Sequence, residues 1–180
     1  MNRTHNTLLR LLYAAVCLAL AYVLPFLTAN NPQLGNVLCL MHIPVLLCGI
    51  LCGWPYGLVV GFCAPLLRSL TIGMPPMPLV AVPMAFELAA YGLAAGLCYR
   101  LLPKKFGWLY VTLPVAMLFG RIVFGVAKYL VMMANGNAYT FAAFLTAAFA
   151  TAVPGMLLQL VLIPPLVLAL KKAGLVPNGA

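Results

Sequence analysis

The chain is 180 residues long, 66% hydrophobic and 6% charged, with a mean hydropathy of +1.12, whereas a soluble domain carries roughly 25% charged residues. A water-facing surface cannot be built from this composition, but a lipid-facing one can, because its outer face is free to be apolar. The net charge of +9 comes from ten Lys and Arg against a single acidic residue; no basic stripe with interleaved surface aromatics supports nucleic-acid binding, and one carboxylate excludes paired-carboxylate chemistry.

The expectation is an all-α integral membrane protein, one transmembrane domain over residues 1–180. Crossing a ~30 Å hydrocarbon core takes ~17–25 apolar residues. Leu8–Leu27 is the first such run, and without a convincing cleavage site after it, it reads as a retained span rather than a signal peptide. The loop Thr28–Asn36 is polar and carries Pro and Gly. Val37–Gly53 and Tyr56–Thr71 are two short spans, separated by the tight turn Gly53-Trp54-Pro55 with its interfacial aromatic. Three prolines keep Ile72–Pro78 out of a helix. Leu79–Leu101 and Trp108–Met133 are the fourth and fifth spans, and Ala134–Tyr139 is a turn. Phe141–Leu170 reads as a short lead-in and a sixth span bent by Pro154, Pro164 and Pro165. Ala15/Ala19, Gly49/Gly53, Gly57/Gly61 and Gly92/Gly96 are small-xxx-small pairs of the kind that let membrane helices approach closely. No internal repeat is present, which argues against folds built from inverted repeats.

Six transmembrane helices place both termini on one side. Seven basic residues lie at segment ends on that side: Arg3, Arg10, Arg100, Lys104, Lys105, Lys171 and Lys172. The loops 28–36, 72–78 and 134–140 on the other side hold no Lys or Arg. By the positive-inside rule both termini are cytoplasmic.

Four charged residues fall inside spans: Arg68, Glu87, Arg121 and Lys128. Facing lipid each is costly, so each is expected to face the bundle interior or a water-filled cavity. Glu87 is ~12 Å in from the outer end of its span, and Arg121 and Lys128, seven residues apart, share a face ~10 Å apart. The cluster then opens outward with Arg121 at its floor. If Glu87 pairs with one cation, two remain, and an anionic or strongly hydrogen-bonding ligand offsets them. The alternative is an ion pair of Glu87 with Arg121 tying two helices together, with Arg68 and Lys128 snorkelling outward. His42 stands near the outer end of the second span, as a local hydrogen-bonding group or a ligand contact. Tyr91 lies one turn below Glu87 on the same face, and Gln159 must find a partner within the bundle. Cys17, Cys39, Cys48, Cys52, Cys63 and Cys98 show no zinc-finger spacing and read as small packing residues. No metal site and no cofactor is expected. With no GxxxxGK[ST] loop, the chain does not hydrolyse ATP itself.

The stretches Met41-His42-Ile43-Pro44-Val45-Leu46-Leu47-Cys48-Gly49, Gly53-Trp54-Pro55-Tyr56-Gly57 and Gly61-Phe62-Cys63-Ala64-Pro65-Leu66-Leu67-Arg68 resemble the substrate-binding (S) components of energy-coupling factor (ECF) transporters. So do Met84-Ala85-Phe86-Glu87-Leu88-Ala89-Ala90-Tyr91-Gly92 and Pro154-Gly155-Met156-Leu157-Leu158-Gln159. The resemblance covers nearly the whole chain. It implies capture of a vitamin or related micronutrient outside a prokaryotic cell, followed by docking on a transmembrane T subunit with two cytoplasmic ATPases. It also implies that Ala15 and Ala19, matching an AxxxA motif, form the docking face, and that the ligand pocket lies in the outer half. The ligand-contact candidates are then Arg121, Lys128, Glu87, Arg68, His42, Tyr91 and Gln159. Cationic excess favours a carboxylate-bearing vitamin such as pantothenate over a neutral one such as riboflavin, for which Tyr91, Phe86 and Phe124 are the stacking candidates. A small membrane enzyme or a structural scaffold is the competing class; the enzyme needs a nucleophile or acid/base pair, for which only Glu87 and His42 are on offer.

Overall fold

The computed structural model describes residues 3–28, 38–103, 106–136 and 153–174, with 140, 142–143 and 146 between the last two blocks. These residues are all-α. In chain order they form α1 (Arg3–Val23), a 3-10 turn (Leu24–Thr28), α2 (His42–Cys52), α3 (Trp54–Ile72), α4 (Ala81–Leu101), α5 (Phe106–Ala134) and α6 (Val153–Lys172). All except α2 are long and apolar enough to cross a membrane. The chain is therefore a multi-pass membrane protein. The expected loop at 28–36, the turn at 134–139 and the lead-in from 141 fall largely outside the described residues, as do Lys104 and Lys105.

The second element departs from expectation. A span over Val37–Gly53 is replaced by an eleven-residue helix that starts only at His42. At 1.5 Å per residue this is ~16 Å, about half the hydrocarbon core. The cause lies in its first residues. Cys39 adopts φ 47°, in the left-handed region, and its carbonyl accepts the His42 amide at 3.0 Å. Pro44, with no amide hydrogen to give, lies in the first turn, where that amide would have no helical partner, and so suits a helix start nearby. All eleven residues of α2 are buried. It packs against α1, α3, α4 and α6, and irregular backbone next to it is tolerable because protein, not lipid, surrounds it.

Glycines set how close these helices come. A Cβ on Gly57 would lie 2.7 Å from the Gly49 Cα, and one on Gly96 would lie 2.5 Å from the Trp54 amide nitrogen. Gly92 abuts the Gly57 carbonyl and Gly61 the Leu88 carbonyl. Thus α2, α3 and α4 touch backbone to backbone, the close approach that replaces a hydrophobic driving force in lipid. Gly53 alone joins α2 to α3, at φ 99°, a backbone angle that suits a residue without Cβ.

α3 ends at Gly73, a left-handed cap at φ 77°, and the segment after it stays non-helical as its prolines require. Ser69 Oγ donates to the Pro75 carbonyl at 2.6 Å and holds this loop on α3. The expected bends in the last span do not interrupt it: α6 is one continuous helix with Pro164 and Pro165 inside and Pro154 in its first turn. Leu8, Leu12, Leu70, Leu101, Ile122, Leu130 and Val161 point outward, a surface made for acyl chains. Arg10, Arg100 and Lys171 meet at one end of the bundle, beside the Gly53 turn.

Candidate functional site

Four helices and one turn converge on a buried polar cluster. α4 contributes Glu87 and Tyr91, one turn apart; α5 contributes Arg121; the start of α2 contributes His42. Glu87 Oε1 lies 3.0 Å from Arg121 Nη1 and 3.4 Å from His42 Nε2. Arg121 Nη2 donates to the Cys39 thiol at 3.5 Å, and Gln159 Nε2, from α6, donates to the Cys39 carbonyl at 3.5 Å. Tyr91 meets His42 edge to face, with ring centroids 5.1 Å apart. Gly120 makes room for that ring, since a Cβ there would sit 2.9 Å from Tyr91 Cδ2. Glu87, Arg121, His42, Tyr91 and Gln159 are all buried.

The cluster holds more polar capacity than it uses. His42 Nδ1 and Nε2, Glu87 Oε1, Tyr91 Oη, Arg121 Nε and Gln159 Oε1 are buried without an aligned hydrogen-bond partner among the described residues. The ion-pair distances to Glu87 Oε1 are short, yet the approach lacks hydrogen-bond alignment. Buried polar groups normally find such partners, and leaving each unmade costs ~1–3 kcal/mol. Six such atoms on five side chains at one place mark a polar surface suited to an oriented small molecule that offers both donors and acceptors.

Lys128 extends the cluster along α5 as its spacing implies. Its Nζ lies 5.7 Å from the Phe124 ring centroid, and the Arg121 guanidinium carbon lies 6.0 Å from the same centroid. One aromatic ring thus separates the two cations. Arg68 is placed differently. Its Nη1 donates to the Tyr22 carbonyl at 2.8 Å and its guanidinium stacks on Phe26 at 4.7 Å. It closes the frayed end of α1, where carbonyls have lost their helical donors, and it has no contact with the Glu87 cluster among those described. Removing Arg68 and pairing Arg121 leaves Lys128 as the cationic excess, one charge rather than two. Phe86 is also elsewhere: it is exposed and packs edge to face on Phe62 at 5.6 Å.

Cys39, which the sequence reads as a packing residue like the other five cysteines, sits in the polar cluster. Its thiol accepts from Arg121 and its carbonyl from Gln159. A cysteine at positive φ carries no sequence mark, since glycine and asparagine are the usual occupants. No group of His, Cys, Asp or Glu suited to holding a metal occurs among the described residues.

Ala15 and Ala19 lie apart from this cluster. Both are exposed and, with Leu18, Tyr22, Ala64 and Leu67, line an apolar groove of ≈ 320 Å³ between α1 and α3.

Comparison with curated proteins and with solved structures gives no match. Residues 9–167, by contrast, match the family model described as ECF transporter, substrate-specific component. Such components bind small-molecule substrates for a transporter whose T subunit and ATPases complete it, and they are not enzymes. A match over this much of a helical membrane chain, with a buried polar cluster between its helices, makes the protein a member of the ECF transporter substrate-specific component family.

Proposed function

We propose that the chain is a single transmembrane domain over 1–180 that captures a vitamin or related micronutrient from outside a prokaryotic cell. It crosses the plasma membrane six times, with Val37–Gly53 as the second crossing, and both termini are cytoplasmic. The supporting charge count is seven basic residues on one set of segment ends and none in the opposite loops.

The observation that carries the binding role is the set of six buried polar atoms without aligned partners around Glu87 and Arg121. The ligand takes its contacts from Arg121, Lys128, His42, Tyr91 and Gln159, with Glu87 orienting the Arg121 guanidinium; Arg68 supports α1. Arg121 and Lys128, flanking Phe124, favour a carboxylate-bearing vitamin such as pantothenate over a neutral flavin. After capture, Ala15 and Ala19 dock on a T subunit served by two ATPases. The competing reading is a structural ion pair, favoured by the 3.0 Å contact of Glu87 with Arg121.

Mass spectrometry of the protein purified in detergent identifies the small molecule that accompanies it, and calorimetry with that molecule then gives its affinity. In the Arg121→Gln, Glu87→Gln double variant, a binding site loses at least ~2 kcal/mol of affinity, about thirtyfold, through the lost charge-assisted bond. Wild-type affinity in that variant leaves a structural ion pair.

A further inference from the structure

The left-handed turn before α2 sets one residue against two other helices at once. Cys39 is 4% exposed, with φ 47°. Its thiol accepts from Arg121 Nη2 of α5 at 3.5 Å. Its carbonyl accepts from Gln159 Nε2 of α6 at 3.5 Å and from the His42 amide at 3.0 Å. Resting on the Glu87–Arg121 cluster as the ligand site, we propose that Cys39 is a positioning residue for binding: its thiol sets the plane of the Arg121 guanidinium so that Nε is presented to the ligand's anionic group.

A guanidinium is a rigid planar fork of N–H donors. Glu87 Oε1 holds it at Nη1, 3.0 Å away, and one such contact leaves the plane free to turn about it. Cys39 holds the other terminal nitrogen. Two held points, with the covalent link at Nε, leave the plane one orientation. The atoms left unused point the same way. Arg121 Nε and Gln159 Oε1 are buried without an aligned partner among the described residues, each on a side chain that Cys39 engages through another atom. Buried donors and acceptors are rarely left unpaired, so a bound group that offers an acceptor to Nε and a donor to Oε1 completes both. The choice of sulfur also fits. A thiol is a weak acceptor and adds no second carboxylate beside Glu87, so the guanidinium keeps its capacity for an anionic ligand.

The backbone supplies the control. In the left-handed region glycine is unstrained and alanine is not, so the two replacements separate the lost acceptor from the lost strain. The test uses the full chain purified in detergent, titrated with sodium pantothenate by calorimetry, beside its thermal midpoint without ligand. Cys39→Ala and Cys39→Gly both remove the acceptor and should each weaken pantothenate binding about tenfold. Cys39→Gly is expected to melt above Cys39→Ala. Cys39→Ser keeps an acceptor and should stay within about threefold of the wild type. Affinity then sorts by the acceptor, and stability by the backbone. Should Cys39→Ala not remain folded, the contrast between Cys39→Gly and Cys39→Ser decides alone. Wild-type affinity in Cys39→Gly, a loss in Cys39→Ser equal to that in Cys39→Gly, or tighter binding by Cys39→Gly than by Cys39→Ala overturns the positioning role and leaves the ligand site standing. A wild-type protein that does not bind pantothenate overturns the carboxylate-ligand reading itself, and the role of Cys39 falls with it.

Discussion

Glu87 and Arg121 are 2% and 4% exposed and 3.0 Å apart, and that closeness defines what each is worth. A buried pair gains little over an apolar replacement, but removing one member strands the other charge and costs about 3–5 kcal/mol. Arg121→Gln alone should therefore lower thermal stability strongly, and Glu87→Gln added to it should restore most of the loss. Unfolding midpoints of the two single variants and the double variant measure the coupling; additive losses would falsify the pair as an energetic unit. This residue pair was legible in the sequence because a charge inside an apolar run is expensive and calls for a reason. The same logic singled out His42, Tyr91 and Gln159, which lie in the same buried cluster. It misplaced Arg68, because spacing along a helix gives depth but not which neighbour the side chain faces. Arg68 is as buried as Arg121, yet it turns to α1 and satisfies the Tyr22 carbonyl. Cys39 was invisible for another reason: its role comes from a backbone angle, φ 47°, which its side chain does not announce.

At the level of elements, the glycine contacts decide how the cluster is assembled. α4 comes close to α2 where Gly92 faces Gly49, to α3 where Gly92 lies against the Gly57 carbonyl, and to α5 where Gly120 faces the Tyr91 ring. A methyl group on Gly92 meets backbone, which cannot rotate away, and overpacking of this kind costs about 1–3 kcal/mol. Gly92→Ala is thus expected to lower the thermal midpoint. Gly107→Ala, where a Cβ meets nothing within 4 Å, should cause no loss and can gain slightly from better helix propensity. Equal midpoints for the two alanine variants would show that close approach at Gly92 is not under steric control. Small-xxx-small spacing made these positions readable in advance, whereas the start of α2 was not. Hydropathy runs unbroken from Val37, so an apolar run read as a full span; Pro44 and the turn at Cys39 shorten the helix to His42–Cys52. Hydropathy reports burial, and burial inside a bundle looks the same as burial in lipid.

For the whole molecule, orientation and docking are coupled, because a ligand taken from one side is useful only if the partner module is met correctly. A single cysteine at Gln33, in a background with native cysteines replaced, should react with an impermeant thiol reagent added to intact cells, and one at Lys105 should be protected. The reverse pattern inverts the proposed topology. Docking is tested on α1. Its buried stripe, Ala14, Cys17 and Ala21, faces the bundle, so Ala15 and Ala19 are left on the outer side, where they floor the groove against Ala64 and Leu67 of α3. Small side chains there leave an apolar depression that a partner helix can approach at close range. Ala15→Leu with Ala19→Leu fills that depression without touching the Glu87 cluster. Transport and co-purification with the T subunit should both be lost, while affinity for the co-purified small molecule stays within about threefold, less than ~1 kcal/mol. Retention of the complex with loss of affinity assigns these alanines to the ligand site instead, and the groove between α1 and α3 then has no part in assembly.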